Sequence, residues 1–150
     1  MSRQIPVTLT NMCMVRNGDY VLVQDRTDPH WPGVTFPGGH IESGESFTAS
    51  VIREVYEETG LTIETPRLCG VKEWENSDGS RYIVLLYKAD RFSGKVRSSP
   101  EGQVCWAALS SLSSLRLSPD FEKLLEVFLR DDLSEFHFEQ TPEGWQDHLL

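Results

Sequence analysis

Short runs of β-branched and apolar residues recur along the chain, with polar turns between them. Val7 to Val15 is such a run and reads as a strand. Asn17-Gly18-Asp19 is a hairpin turn signal, and Tyr20 to Gln24 reads as the returning strand. Prolines and polar residues make Asp25 to Gly33 a loop, followed by a short strand from Val34 to Phe36. Leu68 to Glu75 and Arg81 to Arg91 flank Asn76-Ser77-Asp78-Gly79-Ser80, which predicts a second hairpin. Ile83 to Tyr87 is the most continuous apolar run and reads as a central strand. Thr62 to Thr65 is extended, with Pro66 barring helix. Ser93 to Gly102 reads as a polar loop, Val104 to Ala108 as a short strand, and Ser110 to Ser114 as a connector with room for a helical turn.

Two stretches change period. From about Phe47 to Thr59, Val51, Ile52 and Val55 fall on one side of a helix, with Ser46 as its cap and Gly60 just past its end. Phe121, Leu124, Leu125, Phe128 and Leu129 keep helical spacing further on, and Ser118-Pro119 predicts that helix's opening, serine as cap and proline in the first turn. Beyond Asp131 the chain is acidic and aromatic, and Phe136 and Phe138 fit either an edge strand or a surface for a partner. Strands around two helices predict an α/β fold: one domain over residues 1–150, a mixed sheet with helices on both faces.

Composition narrows the classes. A chain of 150 residues suits one domain with a sizeable core, and 39% hydrophobic with 25% charged residues is globular rather than disordered. The formal net charge of −9 disfavours long nucleic acid, whose binding is dominated by phosphate neutralisation. Cys13, Cys69 and Cys105 lie far apart, an odd set that argues against a disulfide framework and for a reducing, cytoplasmic setting. No apolar run approaches a membrane span, and Met1 to Pro6 carries no signal-peptide core. The four histidines show no paired ligand spacing, which speaks against zinc.

The chemistry concentrates between Gly39 and Leu61, 23 residues holding five glutamates, one arginine and three glycines. Glu54, Glu57 and Glu58 share one helix face, spread over about 100°. Like charges at this spacing repel. A bare acidic helix is most often a solvated face. Here Phe36-Pro37-Gly38-Gly39 supplies a tight turn before it, where glycine lets backbone approach a ligand. A hard divalent cation offsets such repulsion best, and Mg²⁺ takes oxygen ligands beside substrate phosphates.

This stretch resembles the signature of the Nudix hydrolases. Gly39, Glu45, Arg53, Glu54, Val55, Glu57, Glu58, Gly60 and Leu61 occupy its fixed positions without departure. The resemblance implies an α/β/α sandwich and Mg²⁺, with Mn²⁺ as a substitute. It implies Glu54, Glu57 and Glu58 as ligands, the Gly38 carbonyl as a further ligand, and Arg53 as the group that orients a glutamate, itself paired with Glu45. Pro100-Glu101-Gly102-Gln103 before Trp106 is similar to a loop of MutT-like members, which implies that Glu101 joins the metal cluster. Phe36 takes the position of a base-pocket wall in such members, and Asp120 the position that reads a purine edge, where asparagine is familiar. Trp31 and Trp74 fit a base pocket or the core equally. Arg26 and Arg81 are candidates for phosphate contacts, with Gly39 beside the substrate.

The activity implied is metal-dependent cleavage of a nucleoside triphosphate to monophosphate and pyrophosphate by in-line attack of water. An oxidised purine such as 8-oxo-dGTP is the expected substrate, acted on by a monomer or homodimer. Nucleotide sugars or dinucleoside polyphosphates are the alternative substrates. A nucleotide-sensing domain without catalysis is a third reading, opposed by the complete box, and a capped-RNA hydrolase is opposed by the absence of a basic stripe.

Overall fold

In the computed structural model, residues 3–150 are described; Met1 and Ser2, part of the segment read as lacking a signal-peptide core, lie outside them. The strands are β1 (Val7–Asn17), β2 (Tyr20–Arg26), β3 (Gly33–Thr35), β4 (Gly38–His40), β5 (Leu61–Glu64), β6 (Arg67–Glu75), β7 (Arg81–Ala89), β8 (Arg91–Gly94), β9 (Gly102–Ala108), β10 (Glu135–Thr141) and β11 (Gly144–Leu149). Helix α1 (Phe47–Thr59) lies between β4 and β5, and α2 (Phe121–Leu129) follows a 3-10 segment, Leu109–Ser114.

Among the described residues, nine strands form one mixed sheet. Its main path runs β11-β10-β6-β7-β1-β2-β3, with β4 paired to β1 and β9 to β2. β1 is the strand the others share. It runs parallel to β7 along its length, antiparallel to β4 at Thr10, Asn11 and Met12, and antiparallel to β2 at its end. β5 and β8 form a separate two-stranded ribbon. Among the described residues, no helix is long and apolar enough to cross a membrane.

Alternation along β1 and β7 divides the interior. Met14, Val84 and Leu86 point towards α2, where Phe121, Leu124 and Phe128 meet them. Cys13, Val15, Leu85 and Tyr87 point the other way, onto Val51 and Val55 of α1. The predicted sandwich of a mixed sheet between helices is therefore the observed one.

Three predicted details differ. Ser118 does not cap α2, which begins at Phe121 after Asp120 in a left-handed turn (φ 65°) with no side-chain cap. The reason is that Ser118 is tied to β3. Its N–H donates to the Val34 carbonyl at 2.9 Å, and a Cβ at Gly33 would lie 2.7 Å from that nitrogen. Ser93 to Gly102 is not all loop, because Ser93 and Gly94 complete β8 and pair with β5. The acidic tail is a hairpin that extends the sheet, β10 lying parallel to β6. Phe136 is fully buried within the α2-side core.

Phe136→Ala is accordingly expected to cost about 3–5 kcal/mol of stability. Trp145→Ala, on the exposed outer strand, should cost within about 0.5 kcal/mol. Denaturant midpoints compare the two, and equal small effects would mean that the hairpin is only loosely attached.

Candidate active site

α1 is set by its ends. The Ser46 hydroxyl accepts from the Ala49 N–H at 2.9 Å, and Gly60 closes the helix in a left-handed conformation with its N–H on the Tyr56 carbonyl. Asn11 fastens the helix to the sheet. Its amide donates to the Ser50 hydroxyl at 3.0 Å, and its carbonyl accepts from the Gly39 N–H at 3.1 Å. The signal for Asn11 was a polar residue inside an apolar run.

The glycine turn then lies directly on the carboxylates. The Gly38 N–H donates to Glu58 at 2.9 Å. A Cβ on Gly39 would sit 2.3 Å from the Glu54 carboxyl carbon, and one on Gly38 would sit 2.0 Å from the Asn11 carbonyl oxygen. These glycines are required by close approach. Glu58 is buried with only 6% exposed, and burial raises its pKa to about 7 against the pull of the Gly38 N–H; Glu54 and Glu101 push it further up. Glu54 is raised too, chiefly by burial, with Arg53 opposing.

Arg53 is the counterweight. Its guanidinium grips Glu45 at 2.7 and 3.0 Å, and also donates to Glu54 at 2.9 Å, Glu57 at 3.2 Å and the His40 carbonyl at 3.0 Å. Hydrogen bonding to Arg53 holds Glu45 down at about 2, while the same bond raises Arg53 beyond its ordinary value. The expected Glu45–Arg53 pair is thus present, and it locks the turn to the helix.

Glu101 and Arg26 complete this end. β2 and β9 pair Arg26 opposite Gly102, and Thr27 binds the Pro100 and Glu101 carbonyls. Glu101 acts on Glu58 as a like charge and Arg26 as an opposite one, which brings both to the cluster. Arg26 touches Asp28 at 3.6 Å, and its buried Nε has no hydrogen-bond partner among the described residues. The carboxylate of Glu101 carries neither hydrogen bond nor ion pair among them.

Two expected substrate contacts are placed elsewhere. Phe36 is 2% exposed, its ring edge-on to Phe121 and Phe128 at 4.8 and 5.1 Å, so it packs the core and offers no open face. The turn after it points the backbone, not its ring, at the site. Arg81 lies at the start of β7 opposite Val7 and is held by Glu73 at 2.6 Å and Glu75 at 3.4 Å, away from the box. There Glu73, Glu135 and His137 bring ligand atoms within 4.8 Å of one another. That mixed set arises from cross-strand pairing of β6 with β10, which no local histidine spacing announces. It fastens the hairpin to the sheet.

Asp120 lies exposed at the start of α2, beside a hollow of about 290 Å³ lined also by Leu117, Ser118, Phe121, Glu122 and Lys123. Trp31 and Trp74 do come together, around Lys72. The Lys72 Nζ lies 5.3 Å from the Trp31 ring centre, 5.7 Å from Trp74 and 5.3 Å from Phe138.

The candidate donors at the box are oxygens, from Glu54, Glu58 and Glu101 and from the glycine turn. Carboxylates whose pKa is raised by burial and by neighbouring carboxylates call for a cation, and hard oxygen donors fit Mg²⁺ or Mn²⁺. Glu54, Glu58 and Glu101 would hold it, with Glu57 available once released by Arg53.

This constellation on this sandwich is that of the Nudix family, and the NUDIX domain profile matches residues 8–128, so the chain belongs to it. Within the family it is a MutT-like hydrolase. It is 34% identical over 137 residues to an uncharacterized Nudix hydrolase, YvcI, of Bacillus subtilis (strain 168), covering 87% of this chain and 85% of that protein. It is 31% identical over 117 residues to the 8-oxo-dGTP diphosphatase of Escherichia coli (strain K12), covering 76% and 88%. A crystal structure of a MutT protein from Bacillus halodurans superposes with a TM-score of 0.76 at 28% identity, over 95% of this chain and 94% of that one.

Gly39→Ala tests the close approach. The added methyl displaces the flexible Glu54 side chain rather than backbone, so folding should survive. Turnover should fall about a hundredfold or more, as expected for a misplacement near 1 Å. Undiminished turnover in a folded variant would show that Glu54 needs no fixed place against the turn.

Proposed function

We propose that the chain is a Mg²⁺-dependent nucleoside triphosphate pyrophosphohydrolase that releases monophosphate and pyrophosphate, with an oxidised guanine nucleotide such as 8-oxo-dGTP among its substrates. One observation carries the reading: Glu54 and Glu58 lie against a glycine turn, within the electrostatic reach of Glu101 on a separate loop and of Arg26. A divalent cation there supplies charge neutralisation at the phosphates and template binding. The chain's own residues do the rest. Arg26 approaches the polyphosphate with a guanidinium that Asp28 only loosely holds. Water adds to phosphorus, the bridging P–O bond breaks, and the water's proton passes to a carboxylate. Glu101 is the candidate acceptor, because its carboxylate is free of the bonds that fix Glu54 and Glu58. Arg53 keeps Glu54 oriented through the cycle.

The similarity to the Escherichia coli diphosphatase supports the triphosphate substrate. A relative at 24% identity is an ADP-ribose pyrophosphatase, of Methanocaldococcus jannaschii, which keeps nucleotide sugars in the comparison. A substrate panel in Mg²⁺ decides. Triphosphates should yield pyrophosphate without inorganic phosphate, and 8-oxo-dGTP should exceed dGTP in kcat/KM. Faster cleavage of a nucleotide sugar than of any triphosphate would overturn the assignment.

Removing single carboxylates separates catalysis from folding. Glu58→Gln should lower kcat by about three orders of magnitude or more, the scale of a lost transition-state electrostatic group. Thermal stability without metal should hold or rise, since repulsion within the cluster is relieved. Glu101→Gln should lower kcat more than it raises KM; a change confined to KM would move Glu101 from proton acceptor to substrate positioning.

A further inference from the structure

The main path of the sheet ends in two unlike strands. At one end β3 has three residues, and its outer side is taken: the Val34 N–H donates to the Arg116 carbonyl at 2.8 Å, and the Val34 carbonyl accepts from the Ser118 N–H at 2.9 Å. At the other end lies β11, six residues long, with an unbroken register to β10 and no proline. Among the described residues no strand lies beyond it. Folded proteins blunt long edges with bulges, prolines or inward-pointing charges, because a row of free N–H and C=O groups pairs readily with another strand.

The groups that face outward can be named. Glu135 and Leu150 exchange both main-chain bonds, at 3.0 and 2.9 Å. In an antiparallel pair such residues alternate with ones that face away. Gly144, Gln146 and His148 therefore turn their main-chain groups to β10, and Trp145, Asp147 and Leu149 turn theirs outward. The side chains of these three stand on the α2 face of the sheet. Leu149 packs on the core that contains α2, and Asp147 accepts from Lys123 of α2 through both oxygens at 2.9 Å. Trp145 follows them by strand period and is 51% exposed.

A second copy of the same strand fits this edge. A two-fold axis perpendicular to the sheet keeps each face of the sheet continuous only when the antiparallel copy is centred on an outward-facing residue. Centred on Asp147, it sets Trp145 opposite the partner's Leu149 and Asp147 opposite the partner's Asp147, so every outward residue exchanges main-chain bonds. Centring on Trp145 or Leu149 engages fewer of the three. The exposed Trp145 ring then meets an apolar side chain. Each Asp147 at the axis already carries its own Lys123, so neither carboxylate enters the contact unpaired. A solvated edge on a monomer is the plain alternative, and it leaves the row unprotected. We propose that β11 is a self-complementary dimerisation edge, through which two copies of the chain join their sheets about a two-fold axis at Asp147.

Analytical ultracentrifugation of the full chain reads the association, over a dilution series that reaches about 100 μM. The native chain should be dimeric at the top of that series. Trp145→Ala, neutral for the fold of one copy, should weaken association about tenfold or more. Asp147→Pro removes an outward N–H that β10 does not use, and should leave a monomer. Melting curves at low concentration establish that it is folded; Asp147→Lys, which gathers like charges at the axis, serves if it is not. Register is read with Asp147→Cys on a chain whose exposed Cys105 is replaced, Cys105→Ser. Opposite residues in a bonded antiparallel pair lie about 5.5 Å apart at Cα, within disulfide reach, so oxidation should give a covalent dimer. Trp145→Cys on the same background, about 14 Å from its own copy, should not. A native chain that stays monomeric throughout overturns the proposal. So does a dimer that survives Asp147→Pro or Asp147→Lys, or one that Trp145→Cys cross-links as readily as Asp147→Cys, since either would place the contact elsewhere.

Discussion

The contact between a glycine turn and two carboxylates, Glu58 buried and Glu54 partly so, governs this molecule. With Gly38 donating to Glu58 and Gly39 pressed on Glu54, β4 and α1 become one rigid unit. Burying carboxylates is costly unless they are paired and hydrogen-bonded. Arg53 supplies the pairing for Glu54, and in doing so it binds Glu45 at the entry to the helix. Asn11 then ties the unit to β1, the strand on which the whole sheet is assembled. Catalytic geometry and the attachment of α1 are thus consequences of the same few contacts.

The opposite face of the sheet serves a different need. There β6, β10 and the β2–β3 loop bring aromatic rings together over a cation. The sheet lies between this aromatic group and the carboxylates of α1 and fixes their separation.

The box was readable because its residues are local. Ser46, Arg53, Glu54, Glu58 and Gly60 lie within a few helical turns, and period and capping place them without knowledge of the remaining fold. Glu101 and Arg26 needed the β2–β9 pairing, and for Glu101 only the family pattern supplied it. Phe36 was misread because adjacency to the turn says nothing about which way its ring points; alternation sent it into the α2-side core. Arg81 was misread because its partners, Glu73 and Glu75, lie across a hairpin. The start of α2 was misplaced because Ser118 answers a tertiary bond to Val34, which outweighs local capping preference. Lys72 lay beyond local reading altogether, since two of its rings come from a loop 41 positions upstream and a strand 66 positions downstream.

The parallel docking of β10 against β6 has a bearing on how the chain is made. Folding of sheets with such distant pairings is slow, because loop closure precedes the contacts that reward it. During synthesis the box, the glycine turn and the Glu101 loop all emerge before Phe138 does. A nascent chain can therefore assemble its acidic centre while the aromatic enclosure still lacks a wall, leaving Trp31 and Trp74 facing the surroundings. Until translation passes the last strands, the acidic centre exists without the aromatic group around Lys72, and the unfinished sheet edge at β6 is open to the wrong strand.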